Sequence, residues 1–199
     1  MHHPHLTPHQ TAPKMQIERE IGEWPADNVG LSFTVTNYTE HTWKVDSWHS
    51  RYGCVAGKKE WQQYTLLPPH TTFRLPNGEI IPVDPIARGV VYNFQQGWFP
   101  PWSDFTVALR IVLESDQNTG FMVKGNVRSV GRNRIGACES LGDWDLKEFY
   151  SEDTLKSWVP LIYEKITMQV KPWTEPVTHV HLSPNGTSDS GYHVKVDIR

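Results

Sequence analysis

Beyond Asn28 apolar side chains recur at every second position, and the runs they form are cut short by Gly, Pro or Asn. No other feature limits the choice of fold so strongly. Side chains on a strand point alternately to its two faces, so a period of two marks a strand with one face in a core. Phe105, Val107, Leu109, Ile111 and Leu113 are the cleanest case and predict a central core strand. Leu31, Phe33 and Val35 open the pattern, and Trp43, Val45 and Ser47 continue it. Further runs follow at 61–67, 71–75 and 89–94, then at Phe121–Val130 and at Ile166, Met168 and Val170. Val180 and Leu182, the turn formers Pro184, Asn185 and Gly186, and then Tyr192, Val194, Val196 and Ile198 predict a closing hairpin. Short strands with a turn signal after each imply a single antiparallel β-sandwich.

Two stretches depart from this rhythm. Between Gly142 and Trp158 charges are dense, and Leu146, Phe149, Leu155 and Trp158 follow helical spacing, so one or two short flanking helices are expected, with Ser140 as a cap. Before the strands, in a stretch that also holds four histidines, Pro4, Pro8 and Pro13 forbid a continuous helix. Ile17, Ile21 and Trp24 then line one face of a short amphipathic helix. The expected organisation is a tail over 1–27 and a β-sandwich domain over 28–199, without internal repeats.

Composition excludes several classes. No apolar run approaches the roughly 20 residues of a membrane-spanning helix. Lys and Arg number 19 against 22 Asp and Glu, so no basic track attracts nucleic acid. Cys54 and Cys138 are too few for a disulfide scaffold, whether or not they pair. Asn37-Tyr38-Thr39 and Asn185-Gly186-Thr187 are formal glycosylation sequons. Phosphate-binding glycine loops, Gly-x-Ser-x-Gly, His-Glu-x-x-His and Cys-x-x-Cys are all missing, so neither an enzyme nor a cofactor is expected. With no signal-type start, a leaderless exported protein peripheral to its target membrane is the expectation, beside a mature or an intracellular form.

Three groups of residues carry candidate chemistry. Trp98, Phe99 and Trp102 surround the pair Pro100-Pro101, on a stretch that cannot lie inside a sheet because neither proline donates to a ladder. Burying one such ring is worth roughly 1.5 to 3 kcal/mol, so three together on a loop suggest a partner, a sugar ring or the interfacial layer of a membrane. The alternative is a loop folded back over the end of the sandwich. Tyr92 and Arg110 are candidate supports. His179, His181 and His193 fall on the outward face of the closing hairpin, where three imidazoles side by side would hold Zn²⁺ or sense pH; a solvated polar face is the simpler account. Arg128, Arg132 and Arg134 form a small basic loop suited to a phosphate or a carboxylate.

Trp98-Phe99-x-x-Trp102-x-Asp104 before an alternating strand resembles the membrane-contacting loop of the actinoporins, the pore-forming cytolysins of sea anemones. Leu31 to Asn37 with Thr42-Trp43, and Tyr192 to Arg199, are similar to that family's first and last strands. Leu67-Pro68-Pro69-His70-Thr71 with Gly89 to Tyr92 also resembles aegerolysin-like cytolysins. The resemblance implies a sandwich that binds membrane lipid headgroups and self-assembles on membranes or works with a partner protein. The stretch Gly120 to Lys124 lacks the tyrosines that serve choline in actinoporins, and Lys14 to Trp24 would span only about 17 Å as a helix. Membrane association is therefore expected ahead of perforation. A second resemblance, of Leu141-Gly142-Asp143-Trp144-Asp145 to starch-binding modules, implies carbohydrate binding in which Trp144 stacks on a sugar while Asp143 and Asp145 bond its hydroxyls.

Overall fold

The computed structural model describes residues 29–50, 54–56, 64–82, 86–93, 105–127, 133–139, 146–151, 159–160, 166–170, 177–188 and 191–199. The first sheet holds β1 (Val29–Asn37), β3 (Cys54–Ala56), β7 (Ile86–Asn93), β12 (Ile166–Gln169), β13 (His179–Ser188) and β14 (Gly191–Ile198). Their order across it is β12-β13-β14-β1-β7-β3. The second holds β2 (Trp43–Ser50), β4 (Thr65–Leu66), β8 (Phe105–Leu113), β9 (Asp116–Val127), β10 (Arg134–Glu139) and β11 (Val159–Pro160), in the order β11-β10-β9-β8-β2-β4. A separate ribbon pairs β5 (Thr72–Arg74) with β6 (Ile80–Pro82). Pairing is antiparallel except between β1 and β14, which run parallel with Phe33 opposite Val194. The fold is a β-sandwich, as the alternation predicts.

Period two explains the core. Leu31, Phe33 and Val35 of β1 and Val194, Val196 and Ile198 of β14 meet Val107, Leu109 and Ile111 of β8 and Phe121 and Val123 of β9, all essentially without exposure. β8 is interior to its sheet, paired with β2 on one side and β9 on the other, as its sequence predicts. The two layers touch closely at Gly125, where a Cβ would stand 2.5 Å from Leu31 Cδ1. A larger residue there would force the Leu31 side chain to move.

The outer face of the second sheet is covered as well. α1 (Leu146–Ser151) lays Leu146 and Phe149, three apart and so on one helical face, over Ala108 and Met122. Lys124, fully buried between strand and helix, donates from Nζ to the Phe149 carbonyl at 2.6 Å and lies 4.6 Å from the Phe149 ring centre. A buried ammonium is tolerated because the carbonyl and the ring face replace part of its hydration.

One expectation needs correction. Pro184, Asn185 and Gly186 do not turn the last hairpin. They lie within β13, where the register with β14 shifts between Pro184 and Thr187, and the chain reverses only between Ser188 and Gly191. A bulge tolerates the missing proline donor. In the region read as helical, the expected short helix is found at α1, and beyond that region Val159–Pro160 is a strand against β10. The helix expected over Lys14–Trp24, the Ser140 cap and the 1–27 tail lie outside the described residues.

Asn37 ties the layers together. Its side-chain nitrogen donates to the carbonyls of His41, Leu66 and Leu67 at 2.7, 3.0 and 3.0 Å, while Oδ1 accepts from the amide and hydroxyl of Thr39. Thr39 Oγ1 in turn accepts from Trp43 Nε1 at 2.9 Å. The amide of this formal sequon is thus buried and fully used, and it is closed to glycosylation in the folded protein. Asn37→Ala should cost about 3 kcal/mol in denaturant unfolding, because several buried groups lose their partners together. Asn37→Asp should cost as much or more, since a carboxylate would then face three carbonyls.

Candidate functional site

The register defines the end of the sandwich to which the aromatic and basic candidate segments are attached. Val29 lies opposite Asn93, Gly30 opposite Gly191, Cys54 opposite Tyr92, Ser50 opposite Val107, and Phe105 opposite Val127. β1, β3, β8 and β14 therefore begin at one end, where β2, β7 and β9 finish. The segments 51–53, 94–104, 128–132 and 189–190 are all attached there. Trp98, Phe99 and Trp102 belong to 94–104 and lie outside the described residues. Its anchors are described: Asn93 ends β7 in the first sheet and Phe105 begins β8 in the second, both interior strands. Val127, across from Phe105, leads into the arginine segment, whose last member Arg134 begins β10 opposite Asn126. The aromatic and the basic segments thus spring from neighbouring strands.

Other candidates fall elsewhere. Tyr92 lies in β7 with Gly30 and Cys54 as its cross-strand partners, close to the aromatic segment along the chain. Arg110 is five residues into β8, about 17 Å along the strand. Its guanidinium is 3.4 Å from the Asp46 carboxylate and donates to the Gln117 carbonyl. Asp143, Trp144 and Asp145 lie outside the described residues, in the segment between Glu139 and Leu146. β10 enters it from the end opposite the aromatic segment, so the two candidate recognition elements leave the second sheet at opposite ends.

The hairpin does not bring the three histidines together. His179 and His181 share a face with their rings 6.4 Å apart, but Asp197 is the residue across from His181. His193 sits four residues from Asp197, about 13 Å along the strand. It is buried there, with Nδ1 2.5 Å from Ser32 Oγ, while His181 pairs with Thr167 and His179 with Gln169. Among the described residues no group of three His, Cys, Asp or Glu is arranged to hold a metal. The parity reading was sound; the offset between strands separates the rings.

The same end holds a row of polar groups that alternation alone did not reveal. Thr106, the second residue of β8, accepts at Oγ1 from Asn126 Nδ2 at 2.8 Å, and its carbonyl accepts from Ser50 Oγ at 3.1 Å. Asn126 is only 2% exposed, and its Oδ1 has no hydrogen-bond partner. Arg134, half-buried, is the next residue across the sheet. Polar residues opposite a core face normally meet water, so the pattern did not predict burial here. The helical spacing at 146–149 was the one hint that this face is covered.

No family model matches the chain, and no curated protein matches it by sequence. Solved structures do resemble it. A lectin from Xerocomus chrysenteron aligns over 86% of this chain and 98% of its own, with a TM-score of 0.52 and 9% identity. The lipid-binding protein Nakanori aligns over 93% of this chain and 76% of its own, with a TM-score of 0.50 and 10% identity. The chain therefore shares a β-sandwich fold with a lectin and with a lipid-binding protein. No described helix is long and apolar enough to cross a membrane.

Tyr192, near the start of β14, points into the core at this end with a buried hydroxyl that has no partner among the described residues. Burial pushes its ionisation well above the ordinary tyrosine value of 10.0. The folded state resists the charge that the unfolded chain accepts, so stability is whole below pH 10 and falls as pH rises beyond it. Tyr192→Phe should leave neutral-pH stability unchanged or raise it by up to about 1 kcal/mol, and should flatten the alkaline loss in unfolding titrations.

Proposed function

We propose that this protein is a non-catalytic, cytolysin-like ligand-binding sandwich that docks on membrane lipid through the aromatic segment. In this reading Trp98, Phe99 and Trp102 enter the interfacial layer, where amphipathic rings are favoured. One observation carries it: the segment holding three large rings and two prolines bridges the two sheets between interior strands. Interior strands give it a stiff base, so rings exposed there would need no reordering of the sandwich to meet a bilayer. The fold shared with a lipid-binding protein is compatible with this role. Self-assembly on the membrane, or recruitment of a partner that supplies a pore, belongs to the same proposal, as does release of the protein to act at a target membrane.

The second reading is carbohydrate binding through Trp144 with Asp143 and Asp145, and it draws on the fold shared with a lectin. Opposite anchoring of the two segments makes the readings separable. Co-sedimentation with phosphatidylcholine vesicles, with and without phosphatidylserine, should fall at least about tenfold in the double variant Trp98→Ala, Trp102→Ala. Trp144→Ala should leave it intact. Unchanged binding in the double variant would remove the membrane reading, and loss of glucan binding on Trp144→Ala would establish the second. Dye release from the same vesicles tells docking from perforation.

A further inference from the structure

The row Thr106, Asn126 and Arg134 crosses three strands, β8, β9 and β10, on the outer face of the second sheet at the base of the aromatic segment. Its centre is unsatisfied. Asn126 uses one end of its carboxamide on Thr106, and the other end has neither a donor nor an acceptor, at a position 2% exposed. A buried polar atom left unpaired costs about 1 to 3 kcal/mol, so such atoms are rare in native proteins and call for a partner. Thr106 and Arg134, on either side, are half-buried.

The chemistry of the missing partner follows from the amide. Whichever way the carboxamide is turned, a hydroxyl satisfies its open end, because a hydroxyl both donates and accepts. A phosphodiester oxygen only accepts, and a quaternary ammonium does neither. Thr106 is itself a hydroxyl, and the Arg134 guanidinium donates through several N–H groups to acceptors that lie close together. Three such groups in line suit a polyol with neighbouring hydroxyls.

We infer that Thr106, Asn126 and Arg134 form a subsite for a hydroxylated ring, the sugar of a glycolipid headgroup or of a free glycan. This rests on the proposal that ligand is met at the aromatic end, and it adds what is read there: sugar hydroxyls rather than phosphocholine. The lipid-facing rings then supply adhesion and the polar row supplies selection.

Binding of the full chain should be measured on phosphatidylcholine vesicles with and without a neutral glycosphingolipid mixture, and on lipid-free glycoconjugates terminating in glucose, galactose or N-acetylated hexosamine. The expected result is stronger retention on the glycolipid vesicles, reduced about tenfold by Asn126→Leu, the loss expected for one or two hydrogen bonds to ligand. Asn126→Leu should change the melting temperature little, because the lost bond to Thr106 is offset by removal of a buried oxygen that is unpaired in the free protein. Should that variant fail to fold, Thr106→Val reads the same subsite from a position on the rim. Retention on glycolipid vesicles alone identifies a lipid-borne sugar, and equal binding of lipid-free glycoconjugates identifies a free glycan. Equal binding to all vesicles, sensitive to Trp98→Ala with Trp102→Ala but not to Asn126→Leu, would overturn the subsite and leave membrane docking standing. No binding to any vesicle or glycoconjugate would overturn both.

Discussion

The hold of one buried carboxamide on three carbonyls of neighbouring chain sets the geometry from which the rest of the sandwich follows. The layers of a sandwich are joined covalently only by their connecting segments, and apolar packing resists sliding only weakly because it is non-directional. Asn37 is directional. It belongs to β1 in the first sheet and bonds the carbonyls of Leu66 and Leu67, at the edge of the second, while Thr39 and Trp43 close the turn around it. With that corner pinned, Leu31 falls into the gap left by Gly125, and the core side chains meet with little freedom to shift.

The pinned corner and the candidate binding end lie at opposite ends of β1. This division lets one end specify the fold while the other carries loops of varied chemistry. At the far end the segments rich in tryptophan and arginine rise from adjacent strands, above a polar row whose middle member is incompletely bonded. A rigid sheet beneath variable loops is a common arrangement for recognition, since the loops need not bear the cost of organising one another. A surface for adhesion and a surface for selection can then coexist within a few residues of each other.

Much of this was legible in the sequence, for identifiable reasons. The β8 core strand was plain because five apolar residues at period two have one economical burial. The sandwich followed from many such runs with turn formers between them. What escaped was set by pairing rather than by local pattern. His179, His181 and His193 do share an outward face, yet only the register between β13 and β14 shows His193 displaced from the other two. Pro184-Asn185-Gly186 has the composition of a turn, and the continuation of the ladder with β14 turned it into a bulge. Lys124, at an outward position of β9, is buried against Phe149 because a helix crosses the sheet there, which strand alternation cannot see.

The parallel contact of β1 with β14 has an implication for biosynthesis. β14 sits between β13 and β1, so the first sheet is two separate pieces until the final strand arrives. While the ribosome is still at work, β1 offers an unpatched edge of main-chain donors and acceptors, with Phe33 and Val35 uncovered beside it. The two halves become one sheet only when β14 docks between β13 and β1.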